Sequence, residues 1–511
     1  MNFSRNALSA MLFELSGALL AFVVRYYFVR YLTAEYLGIS GLFTNILTIL
    51  SLAELGAGTA IVYSMYGPLA KDDVEQIKSL VRFYRAVYLC IGTAILVLGL
   101  CLIPFLDLFI KERPSIPYPE FLTIYVLSVA QTALSYFFSF RYSVFSADQR
   151  GHVIQRWGIC ASFLRSAVQI FLLAAKRDYI LYMAAGIAVT LLNDLSLTIL
   201  AGREYPYLRE KAEKLDAAHI RAIRKDTFAL LLYKLGTVLA TTIDTLLISR
   251  FFGIVAVGLY SNYHLVISYS DKLFSNVLGT ITPSLGNLMV TGDGQKRLQV
   301  FHALQLIYHW LATYLAVGLL VLFDPLIQTV FGRGYLLDRS MVVALVVSIT
   351  LTNFQRPCSL TRDATGLFWH GKLRPLAMSV LNVVFSVVLI RAYGMVGVAV
   401  GTALAKLCTY VWYDPYIVYK YALKGGSLKR YFLGYVSHWA LLFVLAAVCG
   451  RLYLFIRLEG MPAIFLGAVM VTIVVNGTYA CLYARSESMR YILQLVGVVL
   501  RRKGGADGGE T

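Results

Sequence analysis

Charged residues are scarce in this chain. They make up 14% of its 511 residues, whereas apolar residues make up 59% and mean hydropathy is +0.69. No soluble domain of this size has that balance. About 20 mostly apolar residues cross a bilayer as a helix, and runs of this kind fill almost the whole chain. The sequence therefore predicts an all-α, polytopic membrane protein with no soluble domain.

Several sequence patterns that carry chemistry are also missing. The chain has no GxxxxGK[ST] sequence, which excludes nucleotide hydrolysis at a Walker site. The seven cysteines form no CxxC pair, and the seven histidines are scattered, so neither residue type indicates a metal site. The longest outer loop, near 110–120, is short and rich in proline, which argues against a membrane enzyme. We therefore expect a transporter without catalytic residues, metal or cofactor.

The apolar runs and the basic residues together predict a topology. With the N-terminus inside, 29 of the 46 Lys and Arg lie in cytoplasmic segments and 12 lie at outer ends. Basic residues concentrate in cytoplasmic loops, so both termini are expected in the cytoplasm. The net charge of +18 is then explained by these loops and by anionic lipid, and not by nucleic acid. The fourteen predicted spans are 5–30, 37–66, 82–110, 119–145, 154–175, 178–201, 226–251, 256–289, 299–323, 337–362, 372–392, 396–420, 430–454 and 461–484.

The longest charged segment falls where the chain divides into two lobes. It reads GREYPYLREKAEKLDAAHIRAIRK and is predicted to be a cytoplasmic helical linker. A weak internal repeat supports the division, because Arg30 and Gly38 align with Arg250 and Gly258 at an offset that keeps the membrane orientation. The predicted domains are a six-helix lobe at 1–201, the linker at 202–225, a second six-helix lobe in parallel repeat at 226–425, two further helices at 426–485, and an amphipathic cytoplasmic tail with a disordered end at 486–511.

Five basic residues lie inside predicted spans, at the middle and cytoplasmic levels of the membrane. A cation in lipid costs about 2.5–3.5 kcal/mol on insertion scales, so we expect these residues to meet an anionic substrate in a polar cavity. Arg binds phosphate through two planar donors, and Lys acts as a point charge. Arg25 and Arg362 lie nearer to span ends and are expected to reach the interface. The candidate substrate-binding residues are Arg165, Lys234, Lys272, Arg356 and Lys406.

Four acidic residues lie at similar depth: Glu14, Glu54, Asp244 and Asp271. Burial can raise the pKa of a carboxyl in a membrane enough for it to carry a proton. These residues are therefore the candidates for ion coupling. The alternative is an ion pair with Arg165 or another cation, which would lower the pKa and prevent titration near neutral pH.

Two stretches of the sequence resemble a known family. The run RYLTAEYLGISGLFTNILTILSLAELGAGTAIVYSMYGPLAKDD resembles the opening of polysaccharide biosynthesis flippases, the Wzx-like oligosaccharide flippases of the multidrug/oligosaccharidyl-lipid/polysaccharide exporter superfamily. The segments RDATGLFWHGKLRP and LNVVFSVVLIRAYGMVGVAVGTALAKL are similar to the family's tenth to twelfth helices. The likeness covers almost the whole chain, through diffuse motifs.

The resemblance implies a fold and a function. The fold would be two six-helix lobes in a V around a cationic cavity, plus two C-terminal helices. The substrate would be an undecaprenyl-diphosphate-linked oligosaccharide, moved across the cytoplasmic membrane from the inner to the outer leaflet by alternating access. Proton or sodium coupling is proposed for the family, and glycosyltransferases and a polymerase of the same pathway would be partners.

Three other functions stay open from the sequence. A lipid II flippase would have the same fold and would use intramembrane cations in the same way to bind an anionic lipid. A drug or cation antiporter of the same superfamily would carry unpaired acids in its cavity, whereas buried cations here outnumber buried acids by five to four. A glycan polymerase would need a larger outer loop.

Overall fold

The computed structural model describes residues 2–54, 57–279, 285, 288–289, 292–371 and 373–494. This part of the chain is helical and contains no β-strand, which confirms the predicted fold class. The α-helices, in chain order, are α1 Asn2–Tyr31, α2 Ala34–Leu50, α3 Ala57–Ala70, α4 Val74–Cys101, α5 Tyr118–Ala147, α6 Gly151–Lys176, α7 Tyr179–Glu204, α8 Ala217–Phe252, α9 Ile254–Gly279, α10 Gly294–Phe331, α11 Arg339–Ala364, α12 Phe368–Gly371, α13 Arg374–Tyr393, α14 Val396–Cys408, α15 Tyr410–Ile417, α16 Leu428–Tyr453 and α17 Met461–Tyr483.

Twelve helical segments in the described ranges are long and apolar enough to cross a membrane. They coincide with twelve of the fourteen predicted spans. The predicted span 37–66 is divided between α2 and α3, and 256–289 corresponds to α9, which carries the adjacent charges of Asp271 and Lys272. The chain is therefore a multi-pass membrane protein.

The interruption between α2 and α3 has a local cause. α2 ends at Leu50, and a 3₁₀ turn, Ser51–Glu54, follows it. The Glu54 carboxylate accepts a hydrogen bond from Tyr88 Oη at 2.8 Å. A Cβ atom built on Gly58, in the first turn of α3, would lie 2.9 Å from Tyr84 Oη. Only glycine allows α3 to begin this close to the two tyrosines of α4.

The chain divides into two compact units. One contains Met1–Leu273 together with Pro375–Ser379, and the other contains Phe274–Arg374 together with Val380–Thr511. This division differs from the predicted boundary at 202–225, because α8 packs against α2 and α3 of the first unit. The predicted helical linker is also only partly helical: a 3₁₀ turn, Pro206–Arg209, precedes an irregular stretch that ends where α8 begins. The lobe boundaries stay a prediction.

The two copies of the internal repeat meet within the first unit. In each copy, an Arg lies in the last turn of a helix (α1 or α8), and the glycine lies near the start of the next helix (α2 or α9). A Cβ atom on Gly38 would overlap the carbonyl of Ile254, and one on Gly258 would overlap the carbonyl of Ala34. The glycines of the repeat therefore permit α2 and α9 to cross with their backbones in contact.

Substitution of Gly258 by alanine is expected to destabilise the protein. The new methyl group would meet a backbone carbonyl, which cannot move like a flexible side chain, so α2 and α9 must separate. Overpacking of this kind costs about 1–3 kcal/mol. Gly318→Ala in α10 is the control, because nothing lies within 4 Å of its added Cβ atom. Thermal unfolding in detergent should show a lower midpoint for Gly258→Ala only, and equal midpoints would contradict the close crossing.

The second unit contains a buried cluster of charges around Asp414. Its carboxylate is fully buried and accepts hydrogen bonds from Arg362 Nη1 at 3.1 Å, from Arg374 and from Gln355. The expectation that Arg362 reaches the interface is wrong: its side chain is only 2% exposed and also pairs with Asp363. The cluster joins α11, α13 and α15, because a buried carboxylate is stabilised by several donors.

The C-terminal tail folds back on the second unit. Residues 487–494 are helical, and Met489 is buried in an apolar cluster that also contains Leu306 of α10. The amphipathic character of the region 486–511 stays a prediction, and its part after 494 lies outside the described residues.

Candidate functional site

Two adjoining cavities lie inside the first unit. The first, here called the cationic cavity, has a volume of ≈ 410 Å³ and lies among α1, α2, α6, α7 and α9. The second, here called the hydroxyl cavity, has a volume of ≈ 630 Å³ and is lined mainly by α2, α5, α6 and α7. Both volumes fall in the range of small-molecule binding sites. The residues common to both linings are Ser40, Arg165, Gln169 and Tyr182.

Helical periodicity places the charges of the cationic cavity on three facing stripes. On α1, Glu14, Gly17, Ala21 and Arg25 follow one another at intervals of three or four residues and line the cavity. Such an interval keeps side chains on one helical face. The second and third stripes are Ser162, Arg165, Ser166 and Gln169 on α6 and Leu265, Tyr269 and Lys272 on α9.

In the part of the chain that the structure describes, the cationic cavity is lined by three cations and one carboxylate. Arg25 Nη1 donates a hydrogen bond to Ser261 Oγ at 3.3 Å. Lys272 Nζ lies 5.1 Å from the ring centroid of Tyr269, a cation–π contact that keeps the ammonium at the cavity wall. Among the described residues, no carboxylate lies within ion-pairing distance of Arg165. The arrangement can bind an anion through several charge-assisted hydrogen bonds.

A glycine on α7 makes room for the Arg165 guanidinium. A Cβ atom built on Gly186 would lie 3.2 Å from Arg165 Nη2 and 2.8 Å from Gln169 Nε2. Gln169 is held in place because its Nε2 donates to the carbonyl of Tyr182 at 3.2 Å. Arg165 therefore lies between α6 and α7, at the junction of the two cavities.

The structure brings Glu14 and Glu54 to the cavity walls. Glu14 lines the cationic cavity and Glu54 the hydroxyl cavity. The alternative that either acid pairs with Arg165 is not found among the described residues. Glu54 instead accepts a hydrogen bond from Tyr88. The roles of both acids in ion coupling stay a prediction.

The other candidates lie elsewhere. Lys406 Nζ donates to the Ser348 carbonyl at 3.0 Å and to Ser348 Oγ at 2.9 Å, which joins α14 to α11 in the second unit. Arg356 Nη1 donates to Ser275 Oγ, also within the second unit. Neither residue lines the two cavities, and neither do the half-buried Asp244 and Asp271. The side chain of Lys234 lies outside the described residues, although its backbone is part of α8.

Sequence reasoning missed Arg25. It was assigned to the interface because it lies near the end of the first span, yet it lines the cationic cavity. The signal that could have found it is the spacing on α1, where Glu14, Gly17, Ala21 and Arg25 form one stripe of polar and small residues. The hydroxyl cavity was also missed, because single Ser and Thr residues are common in membrane helices.

Comparisons with known proteins agree with this architecture. The family model described as "Polysaccharide biosynthesis protein" matches residues 3–289, which include every described residue of both cavities. No curated protein matches the chain by sequence.

Solved structures of transporters share the fold. The lipid II flippase MurJ in an inward closed conformation superposes with a TM-score of 0.63 at 13% identity, covering 93% of this chain and 99% of that one. An inward-facing multidrug resistance MATE family transporter of the MOP superfamily gives 0.65 at 15% identity, covering 80% and 98%. A MATE transporter from Vibrio cholerae gives 0.58 at 14% identity, covering 84% and 99%. At these identities the likeness concerns the fold alone.

Proposed function

Because this chain belongs to the polysaccharide biosynthesis protein family and has the fold of MOP-superfamily transporters, we propose that it is a flippase for an undecaprenyl-diphosphate-linked oligosaccharide. It moves this lipid from the inner to the outer leaflet by alternating access, for export of a cell-surface polysaccharide. In this proposal the protein is a transporter and not an enzyme.

The observation that carries the proposal is the charge of the cationic cavity. Arg25, Arg165 and Lys272 face a space whose described lining includes one carboxylate, Glu14. Cations inside a membrane protein are costly unless they meet an anion or water. A diphosphate presents several oxygens to these donors, and the fork of an arginine can bind two of them at once. The cavity therefore has the charge and the donor groups that a lipid diphosphate needs.

The same observation separates the competing functions. A cavity that binds cationic drugs should carry a surplus of acid, whereas the described lining of the cationic cavity has two more cations than carboxylates. A lipid II flippase would also bind the diphosphate of its substrate through cations in the cavity. The family match favours a substrate of polysaccharide biosynthesis over lipid II. We keep lipid II as the second candidate substrate, because the fold of MurJ covers nearly the whole chain.

Glu14 and Glu54 are the proposed coupling residues for a proton or a sodium ion. Each lines a cavity without an ion-pair partner among the described residues. The protein would lie in the cytoplasmic membrane with both termini inside, as the basic loops predict. Glycosyltransferases would supply its substrate, and a polymerase would consume the product.

Transport by the wild-type protein tests this proposal directly. Proteoliposomes would receive a fluorescent oligosaccharide on undecaprenyl diphosphate, lipid II, or a fluorescent cationic drug. We expect transport of the diphosphate-linked oligosaccharide at least about tenfold faster than in protein-free vesicles, and no uptake of the drug. Uptake of the drug without movement of either lipid would overturn the proposal. Faster movement of lipid II would establish the second candidate instead.

A further inference from the structure

We infer that the hydroxyl cavity is a subsite for neutral sugar, joined at Arg165 to the subsite for the diphosphate. This assignment rests on the proposed function and adds to it the class of sugar and the place where it binds. The two cavities share Arg165 and Gln169 in their walls and therefore adjoin, which is the arrangement that a ligand with a diphosphate next to a sugar requires.

The two linings differ in chemistry. The cationic cavity offers donors on positive groups, which suit phosphate. Among its described lining residues, the hydroxyl cavity has one cation, Arg165, and one carboxylate, Glu54, and most of the others carry hydroxyl or amide side chains. Polar groups within a membrane protein need hydrogen-bond partners, so a wall of this composition faces water or a polar ligand.

Most of these hydroxyl groups present acceptors to the cavity. Thr132 Oγ1 donates its proton to the carbonyl of Ser128 at 2.9 Å, on its own helix, and so leaves its oxygen lone pairs available. The same bond to a carbonyl three or four residues earlier is made by the hydroxyls of Thr48, Ser51, Ser128, Ser135 and Thr190.

A wall of acceptors suits a sugar better than a phosphate. Sugar hydroxyls can donate to it, whereas phosphate oxygens are acceptors and would face other acceptors. Glu54 adds a carboxylate acceptor and repels a second acid. The ligand class is therefore a sugar without a carboxylate, and not a uronic acid.

Gln131 supplies the complementary donor. It lines the hydroxyl cavity from α5, and its side chain forms no hydrogen bond with any described residue. An amide has two N–H donors and an acceptor oxygen, so Gln131 can bond to a sugar hydroxyl in either direction. Tyr136 and Tyr182 add half-buried rings to the same wall, on which the apolar face of a sugar can pack.

Binding measurements with purified protein in detergent test the assignment. The ligands are undecaprenyl diphosphate alone, the same lipid with a neutral hexose, and the same lipid with a hexuronic acid. We expect the wild type to bind the neutral glycolipid about tenfold more tightly than the lipid diphosphate alone, and to gain nothing from the uronic acid. Gln131→Leu and Thr132→Val should each remove most of this gain without changing the affinity for undecaprenyl diphosphate.

Thr123→Val is the matched control. Thr123 lies on the same helix, makes the same bond to a carbonyl four residues earlier, and is exposed outside both cavities. It should leave all three affinities unchanged.

Two outcomes would overturn the inference in different ways. If the wild type binds undecaprenyl diphosphate equally well with and without the neutral hexose, the sugar subsite is wrong and the proposed function stands. If it binds none of the diphosphate lipids, both fail. Tighter binding of the lipid with the uronic acid than of the lipid with the neutral hexose would also contradict a neutral-sugar site. So would a loss of sodium binding in Gln131→Leu and Thr132→Val with no change in their binding of the sugar.

Discussion

Replacement of Arg165 by glutamine is expected to lower affinity for undecaprenyl diphosphate about a hundredfold or more and to abolish transport. Hydrogen bonds to charged groups contribute about 1.5–3 kcal/mol each, and an arginine fork can make two to a diphosphate. The loss of two such bonds corresponds to at least about 3 kcal/mol, and every 1.4 kcal/mol is a factor of ten. Arg165 has the largest expected effect because it lines both cavities and has no carboxylate partner among the described residues.

Two further variants test whether the effect of Arg165→Gln is specific to the proposed binding site. Arg165→Lys keeps the charge but loses the planar fork, so it should fall between the wild type and Arg165→Gln. Lys406→Gln removes another cation from a membrane helix, but one that binds the backbone of α11 and lies outside the cavities. Its affinity for undecaprenyl diphosphate should match that of the wild type. Equal losses in Lys406→Gln and Arg165→Gln would indicate a general effect of membrane charge and not a binding site.

Replacement of Asp414 by asparagine is expected to have the largest effect on stability. Arg362 and Arg374 both pair with the carboxylate of Asp414, which is fully buried. The substitution would leave both arginines without that negative charge. Removal of one partner from a buried ion pair costs about 3–5 kcal/mol, since it leaves charge in a medium of low dielectric. Thermal unfolding in detergent should show a midpoint well below that of the wild type.

Asp324→Asn is the matched control for Asp414→Asn. Asp324 also pairs with an arginine, Arg339, at 2.9 Å in the same unit, but both side chains are partly exposed. An exposed pair contributes about 0–1 kcal/mol. Adding Arg374→Met to Asp414→Asn should restore part of the lost stability, because one of the two buried cations is then removed. Equal midpoints for Asp324→Asn and Asp414→Asn would show that the cluster is not a stabilising element.

Part of the proposed binding site could be predicted from the sequence. Arg165 and Lys272 stand out because a cation within an apolar run is costly wherever the helix packs. Arg356 and Lys406 satisfy the same rule, yet each bonds to a neighbouring segment of the second unit, Arg356 to Ser275 and Lys406 to Ser348. A one-dimensional pattern gives the depth of a charge along a helix but not the direction in which its side chain points relative to other helices.

The opposite error affected Arg25 and Arg362. Both were assigned to the interface from their position near span ends, and both are held within the protein. Arg25 lines a cavity with residues of α6 and α9, and Arg362 pairs with Asp414, 52 residues away. A residue near the end of a span can snorkel only if lipid or water lies beside it, and here other helices occupy that place.

The amino-acid sequence alone determined that this chain crosses the membrane many times as helices, because apolar length and hydropathy are properties of consecutive residues. It also predicted cations at membrane depth, two of which, Arg165 and Lys272, line the cationic cavity. Only the tertiary structure decided which cations share a cavity, and that a wall of hydroxyl groups adjoins them. Those facts depend on how α1, α2, α5, α6, α7 and α9 face one another. The sequence pattern of one helix does not determine which distant helices pack against it.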